Sequence, residues 1–240
     1  MRTTYRPRTA GVAAGVRAHV ERGGERLWRV ADFPELSPLA VTQTLRRLEH
    51  AGVVSRVRNG LYYRGRPTIV GPSRPSAGDV AARVLRSPLH PAGLTAANLL
   101  GLTTQNPARP EYVTVRRDRP SVIRGAIVHV RRPQSRLRLS MAENAFLEIL
   151  RERGKSSDLQ PRDTVRRLAA FIAAPATFKH LIEAALEEPP RVRAMLGALG
   201  QEARADPKLV ARLRRMLNPI SKFDFGALRA LKFASSWQAR

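Results

Sequence analysis

An Asn59-Gly60 pair sits between two β-rich runs, Val53–Arg58 and Leu61–Arg64, and constrains the local fold more tightly than any other feature of the chain. Asn-Gly favours a type I′ turn, in which both central residues need positive φ, so the runs are expected to pair as a hairpin. The hairpin follows directly on a helix-forming stretch. Ser37 offers an N-cap oxygen, Pro38 suits the first helical position, and the pattern runs to about His50 before Ala51-Gly52 stops it. Upstream, Val12, Val16 and Val20 recur at helical spacing within Gly11–Arg22, which ends at Gly23-Gly24, and Leu27–Phe33 forms a short second element. Helix, short element, capped helix and Arg-tipped hairpin in that order predict a winged helix-turn-helix.

The capped helix divides into two faces. At 100° per residue, Val41, Leu45 and Leu48 fall within ~40° of one direction, while Leu39, Gln43, Arg46, Arg47 and His50 point the other way with Thr42 at the flank. A recognition helix needs this split, with one side locked to its domain and the other free to reach base edges. Arg matches the O6/N7 edge of guanine, and Gln the N6/N7 edge of adenine. On the hairpin, Arg56 and Arg58 flank the Asn59-Gly60 tip, with Arg64 and Arg66 on the return strand, all suited to phosphate. Tyr62 and Tyr63 alternate across that strand, so one is expected to pack inward and the other to face a phosphate. The expected DNA-contacting set is Thr42, Gln43, Arg46, Arg47, His50, Arg56, Arg58 and Asn59. His50 and His19 each lack a second ligand at metal spacing, and no metal or cofactor is expected.

Charge agrees with a polyanionic partner. Lys and Arg number 43 against 19 Asp and Glu, for a net charge of +24, and nearly all the cations are Arg. A GC-rich coding bias raises Arg and Ala too, so charge alone decides little. Cysteine is absent, which removes disulfides, thiolate metal sites and thiol catalysis, and fits the cytoplasm. No apolar run approaches the ~18 residues of a membrane span, and the basic start, with Arg2, Arg6 and Arg8 in a Met1–Ala10 arm, lacks the apolar stretch of a secretory signal.

The Pro- and Gly-rich stretch Gly65–Ser76 reads as a linker. The expected division is therefore a winged helix over 1–72 and a larger domain over 73–240, in an α+β chain. The second domain is expected to be mixed α/β to about residue 150 and helical beyond. Its expected elements are helices at Asp79–Leu85 and Thr95–Leu100, strands at Glu111–Arg117 and Ala126–Arg131, and a helix at Ser140–Arg151. Further helices are expected at Asp163–Ala173, Pro175–Leu186, Arg191–Leu199 and Pro207–Leu217. Glu183–Glu188 reads as a solvated acidic face. In Asn218–Gly226, Phe223 and Phe225 are read either as packing around a glycine turn or as part of a partner-binding device.

No catalytic constellation emerges. Gly154-Lys155-Ser156 resembles a phosphate loop only in part, because Ile149 occupies the position of its first glycine. No Gly-Ser with paired aspartates is present, and Ser140, Ser156 and Ser157 have no nearby His as base.

Asp32-Phe33, then the run Ala40-Val41-Thr42-Gln43-Thr44-Leu45-Arg46-Arg47-Leu48-Glu49, then Gly52-Val53-Val54-Ser55-Arg56-Val57 and Asn59-Gly60-Leu61-Tyr62, resemble the N-terminal domain of AbiEi-type antitoxins. Gly93-Leu94-Thr95-Ala96-Ala97-Asn98-Leu99-Leu100-Gly101-Leu102-Thr103-Thr104-Gln105 resembles the start of that family's second domain, so the likeness covers roughly residues 10–150. It implies a type IV toxin–antitoxin or abortive-infection system. The N-terminal domain would repress its own operon at inverted repeats through Thr42, Gln43, Arg46, Arg47, Arg56 and Arg58. The C-terminal domain would counteract a cognate nucleotidyltransferase toxin. A ligand-responsive winged-helix regulator without a toxin is the second reading, and a nucleic-acid-modifying enzyme that uses the winged helix as a targeting module is a third; the chain could act as a monomer or a weak dimer.

Overall fold

Three valines spaced four apart give α1 (Thr9–Arg22) an apolar stripe, and Val16 and Val20 are fully buried along it. The computed structural model describes residues 9–85, 87–117 and 125–240, so the expected basic arm at Met1–Ala10 lies almost wholly outside the described residues. After α1 the chain forms β1 (Arg26–Arg29), a 3-10 turn at Val30–Asp32 and α2 (Pro38–His50). The hairpin of β2 (Ser55–Arg58) and β3 (Leu61–Arg64) follows. The antiparallel sheet has the order β1-β3-β2, so the expected single element at 27–33 is half strand and half 3-10 turn. Trp28 stacks on Phe33 with ring centroids 5.8 Å apart and is wholly buried among Val16, Val41, Leu45 and Tyr62. This α+β arrangement of helices on a small sheet is a winged helix-turn-helix.

Local chemistry differs from expectation at three points. Ser37 precedes α2, but its side chain makes no capping bond, and Pro38 at the first turn alone marks the start. At the hairpin tip Gly60 has φ 70° but Asn59 is not left-handed, and the register slips between Arg56 and Arg58. The turn is therefore bulged rather than type I′. Tyr62 and Tyr63 are both buried. Tyr63 donates its hydroxyl to Glu25 at 2.6 Å, and Ser73 donates to the same carboxylate at 2.5 Å. The second face of the sheet is thus covered, by the stretch expected as a linker. That stretch folds into a two-stranded ribbon, β4 (Pro67–Thr68) with β5 (Gly71–Pro72), ahead of α3 (Ala77–Leu85).

The chain divides between Arg83 and Val84 into two compact units, eleven residues beyond the expected 72/73 boundary. In the first, Arg83 near the end of α3 is paired with Asp32. The second contains a sheet of β6 (His90–Ala92), β7 (Glu111–Val113) and β8 (Ile127–His129) in that order, antiparallel then parallel. The strands at 111 and 127 are shorter than expected, and β6 is an addition that a Pro-centred tripeptide does not announce. The helices are α4 (Gly93–Leu99), α5 (Met141–Arg151), α6 (Pro161–Phe171), α7 (Pro175–Ala185), α8 (Pro190–Glu202) and α9 (Pro207–Arg215). A capping box opens α5: Ser140 accepts the Glu143 N–H at 3.2 Å, and Glu143 accepts the Ser140 N–H at 2.8 Å.

Buried α8 is central to this unit, and Trp237 lies so close to Gly197 that a Cβ there would stand 2.2 Å from the ring. The Asn218–Gly226 segment joins the same packing. Phe225 is fully buried, Asp224 pairs with Arg153, and Phe223 exchanges backbone bonds with Gln238 and Arg240 at 2.8 and 3.0 Å.

A layer of buried charge ties α5 to the α7–α8 connection. Arg136, wholly buried, donates to Glu188 at 2.7 Å and Glu148 at 3.0 Å. Arg132 grips Glu148 with two bonds of 2.8 Å, and Arg151 donates to Glu188 at 2.6 Å. The acidic run at 183–188 is therefore not uniformly solvated, because Glu188 is only 2% exposed. Burial pushes the Glu148 carboxyl up, but the bonds from Arg132 and the charge of Arg136 outweigh it and hold the group below its ordinary 4.5. Nearby His90 is buried with no partner on either ring nitrogen among the described residues. Burial, then Arg136, lowers its proton affinity below the ordinary 6.5.

The two groups give the second unit a two-stage acid response. A base weakened by folding binds more protons when unfolded, so stability falls as pH drops below 6.5. The contribution of Glu148 is intact above 4.5 and is lost as pH falls through its lowered value. In a Trp28→Phe background, urea unfolding followed by Trp237 fluorescence will show both stages. His90→Gln will abolish the upper one, and a midpoint unchanged from about pH 7 to about pH 5 in the His90 protein would contradict this.

Candidate nucleic-acid interface

The buried side of α2 is Val41, Thr44, Leu45 and Leu48, and Thr44 spends its hydroxyl on the Ala40 carbonyl at 2.8 Å. With that side fixed against α1 and the sheet, Gln43, Arg46, Arg47 and His50 are exposed together on the opposite side. None of the four side chains has a hydrogen bond or ion pair among the described residues. Thr42 is half-buried and donates to the Pro38 carbonyl at 2.7 Å, so its oxygen remains only as an acceptor. The helix closes with the Val53 N–H on the Leu48 carbonyl at 2.9 Å and Gly52 at φ 71°, which turns the chain directly into β2.

On the wing Arg56, Arg58 and Asn59 are all exposed. Arg56 donates to the Asn59 side chain at 3.0 Å, a bond that shapes the tip, while Arg58 is unpaired among the described residues. The return strand is different. Arg64 turns back onto the last carbonyls of α1, donating to Val20 at 2.9 Å and also to Glu21. Arg66 lies 3.6 Å from Glu25. Arg64 is thus committed to the C-terminal end of a helix, where a cation is favoured. The expected phosphate role no longer fits Arg64, while Arg56, Arg58 and the exposed Arg66 remain placed for it.

The result is a short helix and a hairpin tip that present four guanidinium groups from one unit, on backbones held by burial. Such an arrangement can place side chains along a groove while the tip meets the adjoining phosphates. Among the described residues no cluster of three or more His, Asp or Glu is arranged to hold a metal ion, and no single helix is long and apolar enough to cross a membrane. Sequence reasoning missed the buried charge layer, whose members Arg136 and Glu188 lie 52 positions apart and leave no local signature.

A family of unknown function, DUF6088, matches residues 19–128, which include α2, the wing and the start of the second unit. Among solved structures, the RV2827C protein from Mycobacterium tuberculosis, known from a crystal structure, is similar over 98% of this chain and 92% of that chain. Its TM-score is 0.56 and its sequence identity 15%. At that identity the likeness speaks for a shared fold. No curated protein matches the chain.

Proposed function

We propose that this chain is a DNA-binding transcriptional repressor of its own operon and the antitoxin of a type IV toxin–antitoxin pair. On this reading it works in the cytoplasm, α2 enters the major groove at inverted repeats, and the wing grips the flanking backbone. The observation that carries DNA binding is the outer side of α2, where Gln43, Arg46 and Arg47 are exposed and unpaired while the opposite side is wholly buried. Leaving such side chains without partners costs nothing in water and equips the helix to donate to guanine and adenine edges. The antitoxin role is supported by the likeness of the 32–62 and 93–105 runs to AbiEi-type proteins.

The second unit would counteract a nucleotidyltransferase toxin, and the two roles separate by experiment. A fragment of residues 73–240, which contains the whole second unit, is expected to rescue cells from the nucleotidyltransferase encoded beside its gene, without repressing the operon. Rescue by the full chain alone would refute this division of labour. A neighbourhood with no nucleotidyltransferase gene would refute the antitoxin role and leave a ligand-responsive repressor.

A further inference from the structure

We propose that a cavity in the second unit is a binding site for a small phosphate-bearing molecule, a role independent of DNA binding by the first unit. The cavity has a volume of about 830 Å³ and lies where the segments after β7 and β8 meet the end of α5 and the α7–α8 connection. That volume is in the range of small-molecule sites. Arg117, Arg131, Arg132 and Arg151 line it.

Two of these arginines are pre-oriented from behind. Glu148 holds Arg132 in a two-bond grip, and Glu188 holds Arg151 by its Nε alone, which leaves the terminal nitrogens of Arg151 without a partner among the described residues. Arg136 bridges the two carboxylates beneath them. Arg117 and Arg131 are exposed, and neither side chain has a hydrogen bond or ion pair among the described residues. Five arginines thus face three glutamates, Glu187 included, and the site carries an excess of two positive charges. Guanidinium forks held in place suit phosphate oxygens, which accept paired bonds. Val115, Pro133 and Pro189 supply apolar wall on which a ring attached to the phosphate can rest.

The backbone points the same way. Arg131 is left-handed, with φ 66°, a conformation that L residues other than Asn and Asp rarely adopt. It is held there by its N–H on the Arg116 carbonyl at 2.7 Å and by the Arg132 N–H on the Thr114 carbonyl at 3.1 Å. Those two bonds fix the turn that carries Arg131 and Arg132 along the cavity wall.

Calorimetric titration of the full-length protein at ~150 mM salt tests the assignment, with pyrophosphate, ATP and adenosine as probes. One equivalent of pyrophosphate and of ATP is expected to bind, and adenosine to give no heat. Arg117→Ala/Arg131→Ala should weaken both anions at least about tenfold, while Arg212→Ala/Arg215→Ala, which removes two exposed charges from α9, leaves them unchanged. Arg131→Gly should weaken binding with a melting temperature at or above that of the parent protein, because glycine tolerates positive φ and the loss is then not one of folding. No binding up to about 5 mM, equal binding of adenosine, retention of affinity by the cavity variant, or an equal loss in the α9 variant would each overturn the proposal. So would tighter binding of a hexaglutamate peptide than of pyrophosphate, which would make the cavity a docking point for an acidic protein.

Discussion

Replacing Arg46 and Arg47 together by alanine is expected to weaken binding to the operator duplex by about a hundredfold or more. Each guanidinium that pairs with a guanine edge contributes roughly 1–3 kcal/mol of discrimination, and both lie on the exposed side of α2. Neither side chain holds anything else in the described structure, so the variant keeps its melting temperature and the loss belongs to recognition. The wing behaves differently. On the proposed reading Arg58 meets phosphate, so Arg58→Ala is expected to weaken binding to every duplex alike and to lower the slope of log affinity against log salt by about one. Anisotropy titrations with the operator and a scrambled duplex, at several salt concentrations, separate the two effects. Equal losses on both duplexes for the α2 variant would deny that helix a part in reading sequence.

Arg136→Ala is expected to destabilise the second unit by about 3–5 kcal/mol, because it leaves Glu148 and Glu188 buried without the cation that joins them. Arg132 and Arg151 each still reach one of the two carboxylates, which keeps the effect from being larger. The comparison is Arg166→Ala. Arg166 also has a carboxylate at 2.6 Å, that of Asp163, but its side chain is 82% exposed, and its removal should leave the unfolding midpoint unchanged. Urea unfolding followed by Trp237 fluorescence, again in the Trp28→Phe background, reads both. Similar midpoints for the two variants would mean that water reaches the Arg136 layer.

What the chain announces in its sequence and what it withholds divide along the range of the interactions. The two faces of α2 were legible because helix geometry alone puts Val41, Leu45 and Leu48 on one side, and those residues are buried as expected. The hairpin was legible from Asn59-Gly60, although its bulge was not, since bulge and plain turn share the same residues. Tyr63 and Arg64 were misjudged because their partners, Glu25 and the Val20 carbonyl, lie about forty positions away. The same holds for Glu188, which looks like one more surface acid until Arg136 and Arg151 are brought to it. The linker at 65–76 was misjudged for a different reason. Pro and Gly mark irregular chain, but irregular chain can still cover a sheet.

The most direct test of the account exploits the absence of cysteine. Gln43→Cys provides a single thiol on the exposed side of α2, to which a DNA-cleaving iron chelate can be attached, and Lys208→Cys on α9 provides a comparison in the second unit. Bound to the duplex from upstream of its own operon, the Gln43 conjugate is predicted to cut within a few base pairs in each half of an inverted repeat, and the Lys208 conjugate to leave those positions intact. Cutting from Lys208 with none from Gln43 would contradict the claim that α2 is the element that enters the groove.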